Sequence, residues 1–189
     1  MTTRTVLLVR HTEVAQVWKD RCYGQSDMGL SRTGTAHVRA LATELAAWRP
    51  EIILHSGLRR ARILAEAIAA LTDLPAHADP QWQERDFGSW EGRSWDAIYR
   101  ATGSAMDGMI DAPDQFRPGD GETTMELAHR SLAAFDTLPS GRVLVVTHGG
   151  PIAAILGMQQ WLTARDWPAL IPPPGGFVEL TGSPAANWR

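Results

Sequence analysis

The chain has 189 residues, 44% of them hydrophobic and 21% charged, with a formal net charge of -3. That length suits one core with an insertion, expected as a single domain over residues 1–189, and a weakly acidic balance without Lys/Arg runs argues against nucleic acid or an anionic membrane as partner. Attraction of an anionic ligand then has to be local.

In chain order, "TVLLVR" at residues 5–10 is a branched apolar run of the buried-strand kind, and it delivers Arg10 and His11 at its end. Val6 follows only five residues and Arg10 interrupts the run, so neither a signal peptide nor a spanning segment is expected. A lone Cys22 fits a reducing compartment, and the expected location is cytoplasmic. Cys22 reads as structural, because a Cys-based phosphatase loop needs an Arg six positions on and Met28 stands there.

After an irregular stretch over 15–30, Ser31 precedes "RTGTAHVRALATELAAW", where Val38, Leu41, Leu45 and Trp48 recur at helical spacing until Pro50. "EIILHS" is a second strand, and Ser56 is expected to cap the helix "LRRARILAEAIAAL". Strand, helix, strand, helix predicts an α/β fold of three layers, α/β/α, with a mostly parallel sheet. Residues 79–122 break the rhythm with Trp, Gly, Pro and acidic residues around a helix at "SWDAIYRAT". They read as a small insertion over the carboxyl edge of the sheet. "TTME" at 123–126 is a capping box opening a helix to about Phe135, "GRVLVVTHGG" is another buried strand, a helix follows over 151–158, and "GGFVEL" is a last edge strand.

Two strands thus end in histidine, His11 and His148, and parallel strands of an open sheet present those ends to one crevice. Arg60 is placed to reach the same edge, whereas helical spacing turns Arg59 and Arg62 toward solvent. Gly149 and Gly150 put backbone N–H groups at a helix N-terminus, suited to phosphate. Cations, imidazoles and a helix terminus describe an anion site; no HExxH, CxxC, Walker A or GxGxxG pattern is present, so no metal and no cofactor are expected. His37, His55, His77 and His129 show no ligand spacing.

The chemistry that fits is phosphoryl transfer. A neutral imidazole held in one tautomer attacks phosphorus, and cations stabilise the equatorial oxygens by ~3–4 kcal/mol per well-placed donor. An alkoxide is a poor leaving group, so an acid is needed. "QWQERDFGSWEGRSW" offers Glu84, Asp86 and Glu91 in a Trp-rich setting, and the residues alone leave the choice open. Trp90 and Trp95 are candidates to stack on a substrate base, or simply to pack, and Trp18 to close the loop.

Six boxes in order, "LVRHTE", "LSRTG", "HSGLRRARILAEAI", "ERDFGSWEG", "GDGET" and "VLVVTHGG", resemble the histidine phosphatase superfamily, also called phosphoglycerate mutase-like. The resemblance implies His11 as the phosphorylated nucleophile, Arg10, Arg60 and His148 as the phosphate clamp, and Glu84 as the proton donor that later activates water. Thr12 replaces the family's usual Gly, and Val14 and Val17 replace polar residues, so Gln25 or Ser26 is expected to supply phosphate contacts beside Gly149. Within the family, "RHTEV…CYGQSD" and "ERDFGSWEGRSWDAI" look most like α-ribazole phosphatases, which implies a small anionic phosphomonoester such as α-ribazole 5′-phosphate, of cobalamin biosynthesis. The alternatives are a broad sugar-phosphate or phosphoglycerate phosphatase or mutase, and a non-catalytic phospho-ligand binding module.

Overall fold

The computed structural model describes residues 4–182. β1 (Arg4–Arg10), β2 (Ile52–His55), β3 (Ala76–Ala78), β4 (Gly141–Thr147) and β5 (Phe177–Gly182) form one sheet in the order β3-β2-β4-β1-β5. The first four run parallel, and β5 closes the edge antiparallel to β1. Short β3, "AHA", lacks the apolar run that marks a strand in sequence, and only its pairing with β2 defines it.

β1 and β4 are continuous apolar runs because both faces of the sheet are covered. Leu7, Val9, Leu144 and Val146 pack under α1 (Arg32–Ala47) and α2 (Arg59–Thr72). Their alternates Val6, Leu8, Val143 and Val145 face α5 (Thr124–Asp136) and α6 (Gly149–Gln159) together with Trp82. The period of two along each strand therefore divides the core into two layers, and the three-layer α/β/α expectation holds.

Local signals explain most boundaries. Ser31 accepts the Gly34 N–H at 2.8 Å and starts α1. Gly34 has no alternative there, since a β-carbon would collide with the Glu13 carbonyl. Thr123 and Glu126 form the expected reciprocal capping box of α5. The expected Ser56 cap of α2 does not form: the helix starts after Leu58, and Asp27 Oδ1 accepts the Arg59 N–H from a remote loop at 2.6 Å. Ser56 is needed elsewhere.

Residues 79–122 contain α3 (Trp95–Thr102), α4 (Gly108–Asp111) and several 3-10 turns. Trp90, Cys22 and Ile98 form a small core of their own there, so Trp90 is a packing residue. Burial pushes the Cys22 thiol up to about 12, helped by Glu91 and Glu84, which leaves it a small hydrophobe. No helix among the described residues is long and apolar enough to cross a membrane.

Candidate active site

β1 and β4 are hydrogen-bonded neighbours in parallel register, Arg10 opposite Thr147, so their next residues emerge side by side. His11 and His148 meet with ring centroids 5.1 Å apart, edge to face, and both are buried. The Thr12 carbonyl lies 2.7 Å from His11 Nδ1. A carbonyl only accepts, so the neutral ring carries its proton on Nδ1 and keeps a lone pair on Nε2. Burial first, then the Arg60 charge, bring His11 down to about 3 against the opposing Thr12 carbonyl, with Arg10 adding the least. His148 is lowered by burial, Arg60, His11 and Arg10, in that order. Its Nε2 lies 2.8 Å from Ser56 Oγ, the contact that occupies the hydroxyl expected to cap α2.

Arg60 is wholly buried at the start of α2, while Arg59 and Arg62 are exposed, as helical spacing requires. Its guanidinium is fixed by the carbonyls of Gly24 and Ser26, by Met28 Sδ and by the face of Tyr23, 5.2 Å away. Arg10 donates to the Pro172 carbonyl at 2.8 Å and lies against Gly149, where a β-carbon would stand 3.5 Å from its Cζ. Buried side-chain atoms without a hydrogen-bond partner gather here: Arg10 Nε, Thr12 Oγ1, Arg60 Nε and His148 Nδ1 are four of the seven among the described residues. Buried polar groups are normally paired, so this cluster presents the pattern of donors that an oxyanion satisfies.

Of the three carboxylates left open by sequence, Glu84 is bonded to the N-terminus of α6, two residues from His148. Its Oε2 accepts the Gly150 N–H at 3.1 Å and its Oε1 the Arg85 N–H at 2.9 Å. Any side chain at position 150 would strike that carboxylate. Asp86 closes a turn onto the Gly88 N–H, and Glu91 gathers the N–H groups of Gln25, Ser26 and Phe87. Ser26 gives its hydroxyl to Glu91 and its carbonyl to Arg60, whereas Gln25 donates its amide to the Glu84 carbonyl at 3.2 Å. Val14 is buried and bridged to Leu30, and Val17 is 66% exposed.

Three supports escaped sequence reading. Ser56 holds His148, and Thr147 Oγ1 donates to the Trp82 carbonyl at 2.6 Å, tying the end of β4 to the segment leading to Glu84. Arg130 on α5 pairs with Glu122 through two nitrogens while donating to the carbonyls of Gln81, Gln83 and Glu84. No spacing rule marks such a clip, because its partners lie 46 to 49 residues apart in sequence.

Two cavities lie beside this edge, both bordered by Lys19 and Tyr23. One, about 560 Å³, is lined by Arg10 and His11; the other, about 360 Å³, by Glu84 and Gly150. Among the described residues no three His, Cys, Asp or Glu side chains form a group able to hold a metal ion.

The glucosyl-3-phosphoglycerate phosphatase of Mycolicibacterium vanbaalenii is 30% identical over an alignment 204 positions long, gaps included, covering 99% of this chain and 88% of that protein. The metal-independent phosphoserine phosphatase of Arabidopsis thaliana is 32% identical over 157 residues, 79% of this chain and 66% of that one. A structure of mycobacterial glucosyl-3-phosphoglycerate phosphatase superposes with a TM-score of 0.83 at 27% identity, covering 95% and 91% of the two chains. The α-ribazole phosphatase of Shigella flexneri gives a TM-score of 0.78 at 20% identity, over 93% and 89% of the chains, which is likeness of fold alone. The α-ribazole and cobalamin expectation thus finds no support among the sequence relatives, and the sugar-phosphate alternative is the better supported. Residues 6–184 match the Histidine phosphatase superfamily (branch 1), and the chain belongs to that family.

Proposed function

We propose that the protein is a metal-independent phosphomonoester hydrolase that passes the phosphoryl group of a small sugar-phosphate or phosphoglycerate-type ester through His11 to water. One observation carries the reading: His11 is a buried neutral imidazole whose Nδ1 proton is spent on the Thr12 carbonyl, leaving Nε2 as an unprotonated nucleophile among Arg10, Arg60 and His148.

In the first step the Nε2 lone pair forms the N–P bond as the P–O bond to the alcohol breaks. Arg10, Arg60 and His148 meet the charge on the equatorial oxygens, and the Gly149 N–H adds a helix terminus. Ser56 Oγ lies 2.8 Å from His148 Nε2, and a hydroxyl donated there leaves the ring proton on the unpartnered Nδ1 for the phosphate. Glu84 gives its proton to the departing alkoxide. In the second step the Glu84 carboxylate takes a proton from water as that water attacks phosphorus, and inorganic phosphate leaves with His11 neutral again. The relative named for glucosyl-3-phosphoglycerate supports the substrate class, and the one named as a metal-independent phosphoserine phosphatase supports catalysis without a metal.

The test is turnover of p-nitrophenyl phosphate with EDTA present, together with rapid acid-free quenching of a radiolabelled substrate. Wild-type protein is expected to turn over and to carry label in a form stable to base and labile to acid, and His11→Ala to lose both. Undiminished turnover in His11→Ala defeats the assignment.

A further inference from the structure

The cavity beside Glu84 has a chemical character that the names of the relatives do not convey. Phe87 and Trp95 of the insertion, Met109 and Ile110 of α4, Leu127 of α5 and Trp167 supply its walls, three separate stretches of chain converging on one apolar chamber. Its volume of about 360 Å³ lies in the range that encloses organic ligands well beyond three carbons.

Lys19 and Tyr23 bring an ammonium and a hydroxyl to its wall, and several of its other polar groups are already paired. The Thr124 hydroxyl donates to the Met109 carbonyl at 2.6 Å and accepts from Arg85 at 2.8 Å, and Trp167 Nε1 donates to the Leu162 carbonyl at 3.2 Å. Arg85 also lies over the Phe87 ring. Lys19 and Arg21 are exposed, and Arg21 is tied to the carbonyls of Val17 and Gly92. An alcohol bearing many hydroxyls would surrender hydration there without equivalent partners, whereas an aromatic or aliphatic body would gain by leaving water.

We infer that this chamber is the alcohol subsite, and that the enzyme prefers monoesters of bulky alcohols with an aromatic or aliphatic face over bare glycerol- or glycerate-sized ones. The placement follows from the reaction, because the residue that protonates the leaving oxygen, Glu84, forms part of the chamber wall. The inference rests on the phosphomonoesterase reading, keeps its chemistry, and departs from its sugar-phosphate substrate class toward less polar alcohols.

The experiment compares kcat/KM of the whole protein on four phosphates of ordinary alkyl alcohols, so that leaving-group acidity is similar: 2-phenylethyl phosphate, glucose 6-phosphate, glycerol 3-phosphate and 3-phosphoglycerate. The phenylethyl ester is expected to lead each of the others by at least about tenfold, the scale on which apolar pockets discriminate. Ile110→Asn, which wets the wall, and Ala153→Leu, which fills the chamber from α6, are each expected to shrink that lead, with circular dichroism confirming a folded chain. A lead at or below unity, or one unchanged in both variants, overturns the inference while the hydrolase reading stands. Absence of turnover on all four esters and on p-nitrophenyl phosphate overturns both.

Discussion

At the residue scale the decisive property is that His11 and His148 are buried as neutral rings. His11 folds with its pKa near 3 against an ordinary 6.5, so below about pH 6.5 the unfolded chain binds a proton that the native state refuses. Stability is therefore whole above pH 6.5 and falls as the pH drops toward 3, by up to about 1.4 kcal/mol per pH unit for this one residue. Denaturant unfolding at pH 7, 6, 5 and 4 should show the decline, and His11→Gln should flatten it by about that slope; an identical slope in the variant would mean that His11 titrates normally. Ser56→Ala should lower kcat by roughly tenfold through a misoriented His148 while costing about 1 kcal/mol of stability. A loss of stability with kcat intact would assign Ser56 to packing alone.

At the scale of elements, α5 couples helix stability to the placement of the acid. Thr123→Ala removes the capping box and should cost about 1 kcal/mol, seen as a Tm lower by about 2–4 °C, without a change of substrate preference. Arg130→Met removes the clip on the carbonyls of Gln81, Gln83 and Glu84 and should act on chemistry. If Glu84 loses its position as proton donor, phosphates of alkyl alcohols should slow at least about tenfold more than p-nitrophenyl phosphate, whose leaving group needs little protonation. Equal slowing of both would show that the clip serves the fold only.

At the scale of the whole molecule, a protein of net charge -3 is expected to bind an anion through buried cations and not through its outer field. Raising KCl from about 0.05 M to about 0.5 M should raise KM modestly and leave kcat alone, since screening acts on approach more than on the desolvated pair. The layered core is the frame behind all of this. Leu144 lies fully buried at the centre of β4 between two helical layers, and Leu144→Ala should cost about 3–5 kcal/mol by denaturant unfolding.

Local rules made β1, β4, α1 and the capping box of α5 legible in the amino-acid order, because periodicity and caps act within a few residues. The same rules placed His11 and His148 at one sheet edge, since parallel strands share a direction. Other features depended on partners far apart in the chain. Ser56 has the chemistry of a helix cap, and only the approach of His148 turned it to another use. Glu84, Asp86 and Glu91 are alike as sequence, and the Gly150 amide separates the first from its neighbours. The order of residues thus determined the elements and the types of reactive groups, while tertiary packing decided which groups meet, because hydrogen bonds, burial and charge interactions depend on distance in space and not on separation along the chain.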